Sequence, residues 1–204
     1  MFRLIVISFP DSVPGELRLL NRLFENGLES FHLRKPEMKQ AEMRKLITRI
    51  PADFHQRLII HSNYSLCNEF SLKGLHFPFT ARNEMKRWMA SGRSLSVSLH
   101  TTAEINEIKD KIDYAFLSPV FNSISKQNYK PSMSITEIRK ILSRKHKFDI
   151  VALGGIEPET IAGIKDMGFN GAALLGSIWM PYISGMPESR IIEKFNQFRD
   201  ACNN

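Results

Sequence analysis

The chain has 204 residues, of which 28 are Lys or Arg and 21 are Asp or Glu, so its formal net charge is +7 with neutral histidines. Hydrophobic residues make up 43% and charged residues 24%, close to the averages of globular proteins, which excludes a fibrous or wholly disordered chain. We therefore expect a single domain, 1–204, with a packed core.

The composition also limits location and partners. No apolar stretch approaches the roughly 18 residues of a membrane helix, and the apolar segment Met1–Ile7 is too short for a signal peptide, so we expect a cytoplasmic protein with no membrane contact. Cys67 and Cys202 lack metal-site or disulfide spacing. The basic residues are scattered, which argues against nucleic acid and favours small phosphorylated ligands. The sequence allows a homo-oligomer without requiring one.

Short apolar runs alternate with segments of helical period along the whole chain. The predicted strands are Phe2–Ser8, Glu29–Leu33, Arg57–His61, Gly74–Phe77, Ser94–Leu99, Tyr114–Ser118, Asp149–Leu153 and Gly171–Leu175. The predicted helices are Gly15–Asn26, Lys39–Ile50, Tyr64–Phe70, Asn83–Ala90, Ala103–Lys109, Ile135–Arg144, Pro158–Met167 and Glu188–Ala201. Eight strand–helix units predict an α/β fold, a (β/α)8 TIM barrel. A doubly wound open sheet is the alternative, because strand order cannot be read from sequence.

Polar and basic residues follow several predicted strands. Arg34 and Lys35 follow the second strand, His61 and Asn63 lie at the end of the third, and His100 follows the fifth. The carboxyl ends of barrel strands carry the chemistry of this fold, so these residues are candidates for substrate binding. Each histidine could equally cap a backbone group.

Two glycine motifs follow the last two predicted strands. Gly154-Gly155 and Gly176-Ser177 each precede the start of a helix. Glycine lets backbone N–H groups approach an anion closely, and a helix N-terminus adds a favourable dipole. The motifs predict a phosphate site between the last two strand ends, where barrels often have one. The alternative for Gly154-Gly155 is a tight turn only.

The ordered motifs resemble thiamine phosphate synthase over essentially the whole chain. The stretches that carry the resemblance are 31–35 (FHLRK), 97–101 (VSLHT), 118–126 (SPVFNSISK), 153–156 (LGGI) and 168–171 (GFNG). The sister thiazole tautomerases share the same barrel and much of the spacing. The resemblance implies an enzyme that couples a hydroxymethylpyrimidine diphosphate to a thiazole phosphate and releases diphosphate, with Mg²⁺ as cofactor.

The resemblance also implies roles for individual residues. Arg34 matches an arginine that contacts the diphosphate, and Lys126 matches the lysine that reaches the leaving diphosphate, so these two are the catalytic candidates. His32 stands where the family has glutamine, and Lys35 lies one place before the family's lysine. We expect both to bind substrate, Lys35 at the diphosphate. Ser98 matches the serine that helps hold the pyrimidine.

The thiazole phosphate has its own set of matching positions. Ser123 and Ser125 replace two threonines that bind the phosphate in the family, and serine keeps the hydroxyl donor. The remaining matches are Gly154, Gly155, Gly176 and Ser177. We expect His61 to orient the pyrimidine together with Ser98.

The sequence departs from the family at the metal site. The two positions that carry metal-binding Asp residues in the family read Ser62 and Ala81. Mg²⁺ usually needs one or two carboxylates in addition to substrate phosphates, so weak metal binding is expected here. The missing carboxylates motivate a second hypothesis, a non-catalytic protein that binds a phosphorylated thiazole. A thiazole tautomerase is the third, although the expected acid–base histidine is replaced by Pro119.

Overall fold

Eight parallel strands form one closed barrel in the computed structural model, which describes residues 2–122 and 133–204. Strands that follow one another along the chain are neighbours, and the first pairs with the last through Arg3 and Gly171. The strands are β1 (Arg3–Ile7), β2 (Phe31–Leu33), β3 (Leu58–Ile60), β4 (Gly74–Pro78), β5 (Ser94–Leu99), β6 (Tyr114–Leu117), β7 (Asp149–Leu153) and β8 (Gly171–Leu174). The predicted TIM barrel is confirmed, and the open-sheet alternative is wrong.

The helices pack around the outside of the barrel. They are α1 (Glu16–Glu25), α2 (Gln40–Thr48), α3 (Leu66–Glu69), α4 (Thr102–Glu107), α5 (Ile135–Leu142), α6 (Ile161–Met167), α7 (Gly176–Ile183) and α8 (Glu188–Asn203). Short 3₁₀ segments lie at Ala52–Arg57, Phe79–Ala81, Glu84–Trp88 and Pro158–Thr160. Across the described ranges, no helix is long and apolar enough to cross a membrane.

Three helical regions differ from the sequence prediction. The segment predicted as the helix Asn83–Ala90 forms the 3₁₀ segment Glu84–Trp88, and that predicted as Tyr64–Phe70 contains only α3. Helix α7 was not predicted as an element. Its side chains are apolar on nearly every face, so it lacks the amphipathic period of a surface helix.

The strands direct alternate side chains into the barrel and outward to the helices. The outward side chains join the large core between sheet and helices, whereas a smaller apolar cluster fills the interior. That interior cluster consists of Ile5, Ile7, Ile59, Tyr114, Phe116, Val151 and Ala173. Strands β2, β4 and β5 contribute polar side chains to the same layers, namely His32, His76 and Ser96, all of which are buried. The barrel interior is therefore polar on one side and apolar on the other.

Helix α7 is fixed against the barrel by one buried hydrogen bond. The Trp179 indole N–H donates to the carbonyl oxygen of Ile7, at 2.6 Å, and the Trp179 side chain has no solvent exposure. Ile7 is the last residue of β1. The bond therefore sets the first turn of α7 beside the carboxyl ends of the strands.

Closure of the barrel depends on a close approach between β1 and β8. A Cβ atom at Gly171 would lie 2.6 Å from the Arg3 carbonyl oxygen and 2.7 Å from the Arg3 Cβ, so an alanine forces the strands apart. We expect Gly171→Ala to lower the free energy of unfolding by about 1–3 kcal/mol, measured by urea denaturation. The matched control is Gly163→Ala in α6, where nothing lies within 4 Å. That change should be stabilising by up to about 1 kcal/mol. Equal effects of the two changes would contradict the packing argument.

Candidate functional site

A cavity of about 470 Å³ opens at the carboxyl ends of the barrel strands. Its volume lies in the range of small-molecule sites. The predicted site residues on its wall are Arg34, Lys35, His61, Ser98, His100, Gly154, Gly155, Gly176 and Ser177. The structure thus brings together predicted residues from five different strand ends. Ser123, Ser125 and Lys126 lie outside the described residues, so their roles stay predictions.

Arg34 is held by a hydrogen-bonded serine on the neighbouring strand end. The Ser8 hydroxyl accepts from the Arg34 N–H at 2.8 Å and donates to the Arg34 carbonyl oxygen at 2.9 Å. In the part of the chain that the structure describes, no carboxylate forms an ion pair with the Arg34 guanidinium. Its charge is therefore available to an anionic ligand in the cavity.

Lys35 has a different environment from the one expected. Its side chain is 1% exposed, and its ammonium donates to both oxygens of the Glu16 carboxylate, each at 2.7 Å. It also contacts the carbonyl oxygens of Phe9 and Asp11, at 2.9 and 2.8 Å. An ammonium has three N–H donors, and all of them are engaged. In this structure Lys35 joins β2 to α1, whereas we expected it to bind diphosphate.

Three histidines meet at the inner end of the cavity, on β2, β4 and the end of β3. His32 Nδ1 lies 2.9 Å from His61 Nε2, and His32 Nε2 lies 2.6 Å from the Tyr114 hydroxyl. The His61 and His76 rings are stacked, with centroids 4.3 Å apart. His61 and His76 line the cavity, whereas His32 lies behind them and does not. His32 was expected to contact substrate, and the structure gives it a supporting position instead.

Two serines of β5 hold the third histidine in place. Ser96 Oγ lies 2.8 Å from His76 Nδ1, and Ser98 Oγ lies 2.7 Å from His76 Nε2. Successive inward residues of a strand are two positions apart, so both hydroxyls face the same side chain of the neighbouring strand. Ser98 therefore lines the cavity and also fixes an imidazole beside it.

Burial keeps these imidazoles neutral. Desolvation lowers the pKa values of His32 and His61 well below the usual value, and the charge repulsion among the cluster lowers them further. Burial, with a smaller contribution from the Arg34 charge, lowers the pKa of His76 to about 3. Burial also raises the pKa of the Tyr114 hydroxyl, so that group keeps its proton. The inner end of the cavity is thus polar but uncharged.

The two glycine motifs lie on the cavity wall as expected. Gly154 and Gly155 have φ values of +101° and +67°, which side chains rarely adopt. A Cβ atom at Gly155 would also collide with the Asn122 carbonyl oxygen and the Phe121 side chain. Glycine is therefore required here by the backbone conformation. The tight turn that the sequence suggested is present, and it lies directly after the end of β7.

The motif after β8 forms the first turn of α7. Gly176 and Ser177 are its first two residues, and N–H groups of a helix's first turn have no acceptor within the helix. Both residues line the cavity, and Ser177 is 3% exposed. The turn therefore combines free amide donors, a hydroxyl and the positive end of the helix dipole.

His100 lines the cavity, whereas Asn63 does not. Asn63 has φ +53°, and its amide donates to the Met38 carbonyl oxygen at 3.3 Å. It is not on the cavity wall, contrary to expectation. His100 is on the wall, and its Nδ1 donates to the Ser118 carbonyl oxygen at 2.8 Å.

The cavity does not suit a carboxylate-held magnesium ion. Among its described wall residues none is Asp or Glu; Ser62 contributes a hydroxyl, and Ala81 is not on the wall. Mg²⁺ needs hard oxygen ligands that usually include a carboxylate. The residues at the family's metal positions therefore do not fit this ion.

The sequence analysis missed several residues of the site. Phe116 lines the cavity, and its ring centroid lies 4.7 Å from that of His76. Tyr114 and Ser96 support the histidines from inside the barrel. Alternation of apolar and polar residues along a strand indicates which side chains face inward. Strand β6 is buried on both faces, so its sequence shows no such alternation.

Comparison with known proteins places the chain in a family. Residues 5–178 match the model of the family described as thiamine monophosphate synthase. The chain belongs to this family. A thiamine-phosphate synthase of Leuconostoc citreum is 26% identical over 171 residues, which cover 79% of this chain and 80% of that protein. One of Mannheimia succiniciproducens is 27% identical over 183 residues, covering 81% and 83%.

Solved structures of the family have the same architecture. A thiamine phosphate pyrophosphorylase from Bacteroides thetaiotaomicron superposes with a TM-score of 0.80 and 29% identity, covering 99% of this chain and 98% of the other. One from Pyrococcus furiosus gives a TM-score of 0.75 at 15% identity, covering 99% and 96%, and that likeness concerns the fold alone.

The position of Lys35 leads to a stability prediction. Lys35→Met leaves the buried Glu16 carboxylate without its partner, and breaking a buried ion pair costs about 3–5 kcal/mol of unfolding free energy. We expect a loss of this size at pH 7 by urea denaturation. The exposed Lys45→Met is the control and should change stability by less than about 0.5 kcal/mol.

The stability of the Lys35→Met variant should change with pH in one direction. Burial already raises the pKa of the folded Glu16 above its ordinary value of 4.5, and without Lys35 it rises further. The folded variant then holds the proton more tightly than the unfolded chain, so its stability is greatest below pH 4.5 and falls as the pH increases. The deficit against wild type should therefore widen between pH 5 and about pH 8. A constant deficit would show that Glu16 is not the cause.

Proposed function

We propose that this protein is a thiamine phosphate synthase that couples a hydroxymethylpyrimidine diphosphate to a thiazole phosphate and releases diphosphate. The observation that carries the proposal is one cavity in which Arg34 and the two glycine motifs lie together. The cavity offers cationic and backbone donors, and its described wall has no carboxylate to repel a phosphate. The family relatives with this printed activity support it.

In this proposal, Arg34 binds the diphosphate end of the pyrimidine substrate. Negative charge grows on the diphosphate as the bond to the pyrimidine methylene breaks, and a preorganised cation stabilises that charge in the transition state. Ser8 holds the backbone of Arg34 through two hydrogen bonds. Lys126, outside the described residues, remains the second catalytic prediction.

The thiazole phosphate is assigned to the strand-end motifs of β7 and β8. Gly155 provides a close backbone approach, and Gly176 and Ser177 provide the unpaired donors of a helix N-terminus. Ser123 and Ser125 remain predicted donors to the same phosphate. His61 and Ser98 lie at the inner end, where a neutral heterocycle fits beside uncharged polar groups and the Phe116 ring.

The alternatives receive less support. The thiazole tautomerase hypothesis expects an acid–base histidine where Pro119 lines the cavity.

The hypothesis of a non-catalytic thiazole-binding protein is separated from the proposal by a coupling assay. Purified protein is incubated with both substrates and a series of divalent cations, and thiamine phosphate and diphosphate are quantified. Formation of both products in equal amounts is expected, and their absence with every cation would overturn the synthase proposal.

Arg34→Gln tests the diphosphate assignment. Removing one preorganised donor to developing charge typically costs about 100-fold in rate, so kcat should fall by roughly that factor. The fall in kcat should exceed any rise in KM, because the interaction strengthens in the transition state. Arg49→Gln, an exposed arginine on the outside of the barrel, serves as the control and should retain full activity. An Arg34 variant as active as the control would remove Arg34 from the mechanism.

Ser177→Ala tests the phosphate assignment separately. Loss of a hydrogen bond to a charged group costs about 1.5–3 kcal/mol, so affinity for the thiazole phosphate should fall at least ~10-fold by calorimetry. The affinity for the unphosphorylated thiazole should change little. Ser143→Ala is the matched control, because that hydroxyl bonds to the Lys140 carbonyl oxygen away from the cavity. Equal loss for both thiazoles would indicate a general distortion of α7 rather than a lost phosphate contact.

A further inference from the structure

The histidine cluster formed by His32, His61 and His76 offers ligands of a kind that the family's metal positions lack here. One ring nitrogen from each of the three lies within 4.8 Å of the others. His32 Nδ1 and His61 Nε2 are already 2.9 Å apart. Nitrogens that share a tetrahedral metal with bonds of about 2.0–2.1 Å are separated by ~3.4 Å, so metal binding requires the widest pair to approach by up to about 1.4 Å.

We propose that His32, His61 and His76 bind one divalent transition-metal ion of the zinc type at the inner end of the cavity. Imidazole nitrogens suit Zn²⁺, Co²⁺, Ni²⁺ and Fe²⁺, whereas Mg²⁺ prefers hard oxygen ligands. Three histidines with one open position are the ligand set of many catalytic zinc sites. Because His61 and His76 line the cavity, an ion held by the three histidines would be accessible from it.

Two of the three histidines have the second hydrogen bond that a metal-ligating histidine needs. Such a histidine binds the metal through one ring nitrogen and donates from the other to a neighbouring group. His32 has the Tyr114 hydroxyl at 2.6 Å from Nε2, which leaves Nδ1 for the metal. His76 has Ser96 Oγ at 2.8 Å from Nδ1. Its Nε2 would bind the metal in place of its present 2.7 Å contact with Ser98 Oγ.

Position along the strands explains why the three side chains converge. His32 and Ile59 are register partners in β2 and β3, and His61 lies two residues beyond Ile59, on the same inner face. His76 reaches the same layer from β4.

The test is direct metal binding to the tag-free, chelator-treated protein, and it does not depend on synthase activity. Calorimetric titration with Zn²⁺ and with Co²⁺ should give one ion per chain, and Mg²⁺ should not compete. The Co²⁺ complex should show the visible absorption of a tetrahedral site without a thiolate charge-transfer band, because Cys67 and Cys202 are not ligands. Absence of Zn²⁺ and Co²⁺ binding, or a thiolate band, would overturn the proposal.

Variants locate the ion. His61→Gln and His76→Gln should each weaken Co²⁺ binding by more than ~10-fold, since even loss of a supporting partner costs 10–100-fold. His146→Gln is the matched control, because His146 contacts the Ile141 carbonyl oxygen outside the cavity, and it should bind Co²⁺ as wild type does. Equal weakening in all three variants would refute the assignment.

A measurement on the wild-type protein covers the case in which a cluster variant fails to fold. Histidine-ring NMR signals of the unmodified chain should shift on Zn²⁺ addition at the three cluster residues and stay in place at His55 and His146. Shifts confined to the other histidines would refute the site. A protein that binds Zn²⁺ but does not couple the substrates would refute only the proposed function.

Discussion

The constraint on which the site depends is the need to satisfy polar side chains inside a closed barrel. Every second residue of a strand points into the barrel, and a buried polar group without a hydrogen bond costs about 1–3 kcal/mol. Here the inward histidines of β2 and β4 are paired with Tyr114, Ser96 and Ser98 from β5 and β6. These pairs fix the orientation of the imidazoles and so determine the shape and polarity of the inner cavity.

The outer part of the cavity binds ligands through a different kind of group. Its ligand-binding groups are backbone amides and one cation, held by Gly154-Gly155, by the first turn of α7 and by the Ser8–Arg34 hydrogen bonds. Helix α7 keeps this position because Trp179 bonds to the end of β1. The two ends of the cavity thus differ in character, with charged or dipolar groups for phosphates outside and neutral rings inside.

The replacement of the family's metal-binding residues has a structural counterpart in the same cavity. The resemblance predicted that Ser62 and Ala81 stand at the positions of the family's two carboxylates, and the described cavity wall carries no carboxylate. In their vicinity, His61 directly precedes Ser62 and stacks on His76. The proposed transition-metal site of His32, His61 and His76 would place nitrogen ligands beside the position of Ser62.

The sequence by itself determined the eight strand–helix units, the candidate residues at the strand ends and the two glycine motifs, because these follow from local periodicity and from residues with distinctive backbone preferences. It also identified Arg34, His61 and Ser98 at strand ends. Only the tertiary structure decided that the eight strands close into a barrel, because strand order depends on pairing between distant segments. Tertiary structure alone decided that Lys35 pairs with Glu16, that His32 supports His61, and that Tyr114 and Ser96 face inward. These are contacts between segments far apart in the chain, and no local pattern encodes which partner a buried polar group will meet.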